Sequence, residues 1–203
     1  GANLEGIAVA GNKLYVCNSC SSDYTTYYKN VVELNASTLA KNQDIEVVDD
    51  PVDVINAGSA IFILSMGIYA DKDKPATVQI LKDGQLSTIG NATMMAYDAY
   101  NDQLYMINAP FGGDKEYKVY NLKNGQTTTF LTNPDIFSPY SLAVNPVNGD
   151  VFITSSTKNP DTGYADYTAD CKLYRYTSAG ILLGTYDCGV NPGTIVCDSY
   201  YQK

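Results

Sequence analysis

Residues 141–153 read Ser141-Leu142-Ala143-Val144-Asn145-Pro146-Val147-Asn148-Gly149-Asp150-Val151-Phe152-Ile153, two short apolar runs parted by a turn of Asn, Pro and Gly. The second run recurs along the chain as Leu14-Tyr15-Val16, Ile61-Phe62-Ile63 and Leu104-Tyr105-Met106, with the aromatic residues of successive copies 47, 43 and 47 positions apart. The first run has counterparts too, in Gly6-Ile7-Ala8-Val9, Val52-Asp53-Val54-Ile55 and Met94-Met95-Ala96-Tyr97. Each aromatic run leads into Asn or Ser and a polar loop, after which two further apolar segments flank Asp83-Gly84, Asn124-Gly125 or Ala179-Gly180. Glycine at such a site supplies the positive φ of a tight two-residue hairpin. Self-similarity at a fixed period of this length marks a repeat architecture.

No segment sustains a 3.6-residue apolar period, and the runs are rich in Val, Ile, Tyr and Phe, so the chain is expected to be all-β. Four antiparallel strands per repeat, with near-continuous apolar inner strands, describe the blades of a β-propeller. A β-sandwich is the alternative, although a sandwich requires no repeat. The expected blades are 3–50, 51–90, 91–133 and 134–189 of a single propeller domain over 1–203, and 190–197, around Asn191-Pro192-Gly193-Thr194-Ile195-Val196-Cys197, reads as one extra inner strand. Four blades and a spare strand do not close a ring, and a propeller must pair its first and last elements to hide its sheet edges. The expectation is therefore the C-terminal part of a larger propeller, or a chain that associates with a second copy.

The composition narrows the chemistry. The 203 residues contain 18 Tyr, no Trp and no His. Without His, Ser-His-Asp and Cys-His nucleophiles, His-ligated metals and His pH switches are excluded. A net charge of -9 with 13 Lys and Arg argues against nucleic acid and anionic membrane surfaces as partners. The longest purely apolar run, Ala60–Leu64, is far short of the roughly 20 residues of a membrane-spanning helix. The start, Gly1-Ala2-Asn3, has no signal-peptide character, so an export signal is expected to have been removed or never included.

The stretch 138–154, a Pro, an apolar strand, a Pro/Asn/Gly turn and an apolar-aromatic-apolar run, resembles the unit of YVTN-type β-propellers. Leu173-Tyr174-Arg175-Tyr176, Ala179-Gly180, Leu182-Leu183 and Asn191-Pro192-Gly193 resemble the C-terminal end of seven-bladed surface lipoproteins of gut bacteria. The likeness is good over 134–197 and weaker over 3–133, and the family's first three blades have no counterpart here. The resemblance implies a propeller exported to the periplasm or outer-membrane surface. Some members of that group bind corrinoids beside an outer-membrane transporter, which makes such a transporter a candidate partner. Fold likeness alone does not carry function.

In a propeller the loops between second and third strands share a face with the connections between blades. Here these loops are long and aromatic: Asn18–Lys29 with Tyr24, Tyr27 and Tyr28; Ser65–Ala76 with Tyr69; Asn108–Glu116 with Phe111; and Ser155–Asp170 with Tyr164 and Tyr167. The opposite face is expected to carry mostly turns of two or three residues. Tyrosine offers a flat apolar body and a hydroxyl at low entropic cost, which suits a glycan, a corrin-like ring or a protein partner. The competing reading is that these rings pack loops onto blades. Asp161, Asp166 and Asp170 share one loop and are candidate calcium ligands, against the alternative of a solvated acidic loop.

Cys171 and Cys188 are symmetric about Ala179-Gly180, which places them opposite each other with Cα atoms about 4.5 Å apart, within disulfide range unless a bulge shifts the register. Cys17-x-x-Cys20 lacks partners for zinc and reads as buried thiols or a local redox pair. The four Glu residues show no motif-fixed pair for glycoside cleavage, so a glycan hydrolase or lyase is the weaker alternative. The favoured expectation is a non-catalytic propeller that needs no cofactor and binds a small molecule on its Tyr-rich face, with a protein-interaction scaffold as the alternative.

Overall fold

The computed structural model describes residues 3–69 and 71–197. The described residues form seventeen β-strands and no helix. The chain divides into two compact units, Gly1–Thr93 and Met94–Lys203.

The first unit holds two four-stranded sheets. One consists of β1 (Asn3–Ala10), β2 (Lys13–Cys20), β3 (Tyr27–Asn35) and β4 (Lys41–Glu46); the other of β5 (Pro51–Asn56), β6 (Ile61–Ser65), β7 (Thr77–Lys82) and β8 (Gln85–Asn91). The second unit holds a sheet of β9 (Met94–Asp98), β10 (Gln103–Asn108), β11 (Glu116–Asn121) and β12 (Gln126–Leu131). Its last sheet comprises β13 (Ser138–Val144), β14 (Val151–Lys158), β16 (Cys171–Tyr176) and β17 (Leu182–Cys188), with the two-residue β15 (Ala165–Asp166) paired to β14. Every sheet is an antiparallel meander whose spatial order follows the sequence.

Burial follows position in the meander. All five residues of β6 are buried, as a strand covered on both faces requires, while β4 and most of β12 are exposed and carry polar side chains. The repeated aromatics Tyr15, Phe62 and Tyr105 are buried, and Phe152 is half-buried beneath the Arg175 guanidinium, 5.9 Å from its ring centre. Tyr15, Cys17, Val31, Val54 and Ile63 centre the core of the first unit; Tyr105, Ile107, Tyr117, Ile136, Ile153 and Tyr176 centre that of the second.

Several local expectations are corrected. Residues 191–197 form no strand: Asn191 has a positive φ of 52°, Pro192 has no N–H to donate, and Gly193 N–H turns back onto the Asn191 carbonyl. The Pro192 carbonyl instead accepts from the Ser141 and Thr154 hydroxyls. Asp83-Gly84 is a two-residue turn, with Lys82 facing Gln85, whereas Asn124-Gly125 closes a four-residue loop and Ala179-Gly180 lies in a five-residue loop, 177–181. Across that face of the sheets only 11–12 and 83–84 are two-residue turns and the others run from four to six residues, so the contrast with the long-loop face is smaller than expected.

Candidate functional site

Phe111 and Tyr164 are brought together in the second unit. Phe111 occupies the second position of a turn closed by Gly113 N–H donating to the Pro110 carbonyl at 3.1 Å. Gly112, at φ 70°, provides the left-handed third position that a type II turn demands. Tyr164 stands at the end of a hairpin extension in which β15 pairs Thr157 with Asp166 and Lys158 with Ala165. Asn159 ties that hairpin: its Oδ1 accepts from the Asp161 and Thr162 N–H groups, and its backbone N–H donates to the Tyr164 carbonyl at 2.8 Å. The two rings stack at 6.3 Å with 16° between planes, although Phe111 is 82% and Tyr164 66% exposed. Large rings held parallel yet open to solvent form a platform for a flat apolar surface.

Beside the platform lies a cleft of about 360 Å³ lined by Asp114, Lys115, Tyr117, Asn133, Pro134 and Ile136, with Gly113 at its edge. Tyr117 is 3% exposed and its hydroxyl has no hydrogen-bond partner. Burial, then Tyr176 and Tyr174, push that hydroxyl far above the usual tyrosine range, so it remains a protonated donor. Phe137, on the connection into β13, lies beneath two cations, Lys115 Nζ at 5.9 Å and Lys158 Nζ at 6.0 Å from the ring centre.

The other rim residues fall in different settings. Tyr167 is exposed in the second unit, two residues beyond Ala165. In the first unit Tyr24, at φ 58°, and Tyr69 are exposed. The Tyr24 loop is fastened by Asp23, whose Oδ1 accepts from Ser21 Oγ, Thr25 N–H and Thr25 Oγ1, and these bonds hold the Asp23 pKa below the usual carboxylate range. Tyr27 and Tyr28 are not loop residues: both lie in β3, half-buried, with Tyr27 opposite Cys20. The candidate calcium ligands Asp161, Asp166 and Asp170 are not gathered together. Asp166 spends one oxygen on Thr168 N–H and Oγ1 and turns the other toward Asn159 Nδ2, and among the described residues no three acidic, Cys or His side chains converge to hold a metal.

Cys171 and Cys188 are direct Cα partners across β16 and β17, and both are free thiols. The five-residue loop offsets the register by one, and a bulge between Arg175 and Tyr176 shifts it back. Cys17 is fully buried, and desolvation, then Asp53 and Glu5, push its thiol up to about 12, which leaves it inert.

A second cleft, of about 390 Å³, lies in the first unit among the turns of the short-loop face. Its buried Glu33 accepts from Lys13 Nζ at 3.1 Å, Asn42 Nδ2 at 3.1 Å and Gln43 Nε2 at 3.2 Å, so its lone pairs are engaged within the chain. Sequence reading passed over this cleft because its polar groups come from three strands and no local spacing unites them. It also passed over Lys115, Lys158 and Phe137. Phe137 was legible in principle, since connections between blades share the long-loop face.

No protein-family model matches the sequence, and no curated protein matches it. Solved structures do. An auxiliary nutrient binding protein from Bacteroides thetaiotaomicron VPI-5482 is 12% identical over 96% of this chain and 44% of that one, with a TM-score of 0.60. A quinoprotein alcohol dehydrogenase-like protein from the same organism is 15% identical over 91% and 45%, with a TM-score of 0.60. The β-propeller domain of the trilobed protease from Pyrococcus furiosus is 11% identical over 94% and 58%, also at 0.60. The fold is an all-β propeller with about four blades in this chain. At these identities the likeness speaks for fold alone, and the chain spans about half the length of the solved structures it matches.

Proposed function

We propose that the chain is a non-catalytic, ligand-binding β-propeller of the bacterial periplasm or cell surface, holding a small molecule such as a glycan or a corrin-like ring on the long-loop face. The observation that carries this reading is the Phe111–Tyr164 stack, two largely exposed rings held parallel by loops with their own internal hydrogen bonds. Rings pre-positioned in this way lose little entropy when a ligand covers them. The similarity of 134–197 to YVTN-type surface lipoproteins, and a structural neighbour described as an auxiliary nutrient binding protein, support export and ligand capture.

A thermal-shift panel containing cyanocobalamin and neutral and acidic oligosaccharides tests the reading. A ligand at about 100 times its Kd stabilises the fold by about 2.7 kcal/mol, a shift easily read by melting. The expected result is such a shift from at least one class, and its loss in the F111A/Y164A double variant with the unliganded Tm unchanged. Absence of any shift, or a shift indifferent to the double variant, contradicts the reading.

One observation favours a protein-interaction scaffold as second reading. Leu4, Ile7 and Val9 on β1 are 60%, 62% and 56% exposed, an apolar row on a strand otherwise built into a blade. In that case Ile7→Asp abolishes capture of a partner protein while F111A/Y164A does not.

A further inference from the structure

We propose that the ligand held beside the Phe111–Tyr164 platform is an anionic oligosaccharide, its carboxylate or sulfate groups received by Lys115 and Lys158. The inference rests on the rim reading above and adds the charge class of the ligand. Of the twelve described Lys and Arg side chains, seven are engaged in ion pairs with carboxylates. Lys115 and Lys158 are in none of these pairs, yet they come from two different loops and converge on the ring of Phe137. In a chain of net charge -9 two cations drawn from separate loops to one ring are a local concentration of positive charge.

Lys158 also borders the aromatic pair: its Cε lies 3.8 Å from where a Cβ on Gly163 would stand, next to Tyr164. Lys115 lines the cleft together with Asn133 and with Asp114, the one carboxylate among its lining residues. Two cations next to a stacked aromatic pair match a charged sugar, whose ring carbons present an apolar face and whose acid group demands cations.

The experiment is calorimetric titration of the full chain with three probes: an oligogalacturonate, a sulfated dextran fragment and a neutral dextran of equal length. The anionic probes are expected to bind about tenfold or more tighter than the neutral one, the gap corresponding to charge-assisted hydrogen bonds. The preference is expected to shrink as salt rises from about 50 to 300 mM. K115Q/K158Q is expected to bring anionic and neutral affinities together without lowering Tm. Preference for carboxylate over sulfate, or the reverse, identifies which acid group the site receives. Equal affinity for the neutral dextran, no binding of either anionic probe, or an anionic preference intact in K115Q/K158Q overturns the proposal. If neutral dextran or cyanocobalamin still binds through Phe111 and Tyr164 in those cases, the rim reading survives; if F111A/Y164A alters nothing, both fall.

Discussion

Gly149 has φ +74°, and a Cβ placed there meets the Asn101 amide and lies 3.0 Å from Asp98 Oδ2. Asp98 is fully buried and caps its turn by accepting from the Tyr100 and Asn101 N–H groups and from Asn101 Nδ2, so it cannot retreat. Gly149→Ala is expected to cost about 2–4 kcal/mol in urea unfolding, the strain and the clash together. Gly11→Ala, at φ +59° but with open space around it, costs only the backbone term of about 1–2 kcal/mol. Equal losses would show that the Asp98–Asn101 contact is not rigid. Glu33 makes a pH-dependent contribution. Burial by itself raises its pKa, but the bonds from Gln43, Lys13 and Asn42 outweigh burial and hold it below the usual carboxylate range. Its stabilisation is therefore full above the ordinary carboxylate pKa and fades as pH falls through the lowered folded value. Glu33→Gln is expected to lose about 1–3 kcal/mol at neutral pH and progressively less in acid, measured by denaturant titration across that range. Tyr117→Phe removes an unsatisfied hydroxyl and is expected to leave Tm unchanged or raised. At single positions the sequence was informative where chain geometry is local, as for Gly149 in its Asn/Pro/Gly turn. It was silent where partners arrive from distant strands, as for Glu33 and Tyr117.

By its sequence the hairpin that presents Tyr164 belongs to one long loop, 155–170. In the structure β14 continues to Lys158 and the chain folds back as β15, because Asn159 accepts from two N–H groups in the turn and Gly163 donates to the Asn159 carbonyl. Such side-chain capping leaves no mark in apolar periodicity, which explains why strand signals missed it. Asn159→Ala is expected to loosen this extension by about 1 kcal/mol and leave the blade beneath intact. Amide exchange should then accelerate at 159–166 but not in β16, and ligand affinity should fall; unchanged exchange contradicts the assigned tie. The β16–β17 ladder supports a sharper expectation. Cys171 and Cys188 face each other across two strands, whereas Cys17 and Cys20 lie three apart on one strand. Oxidation by diamide is expected to yield a 171–188 link in a peptide map and a higher Tm, about 3 kcal/mol for a loop of this size. A 17–20 link would contradict the observed pairing.

The whole molecule was legible chiefly through repetition. Four copies of an apolar-aromatic-apolar run at near-constant spacing correspond to β2, β6, β10 and β14, the second strand of each sheet. That periodicity survives divergence because a strand buried on both faces accepts little but apolar residues. Asn191-Pro192-Gly193 misled for the same reason. Its composition matches the entrance to an inner strand, yet strand formation requires a neighbouring edge to pair with, a property of the assembled sheet rather than of the residues. The surplus of Tyr raises the expectation of an aromatic recognition face. Where the rings meet depended on loop geometry, which joined Phe111 to Tyr164 and moved Tyr27 and Tyr28 into β3. The most direct measurement is amide hydrogen exchange of the full chain with and without the tightest-binding probe. Protection is expected to concentrate at 109–117, 133–137 and 158–167. Protection confined to the Lys13–Glu33 cleft of the first unit, or no change at those three segments under saturating ligand, would contradict a binding site on the long-loop face.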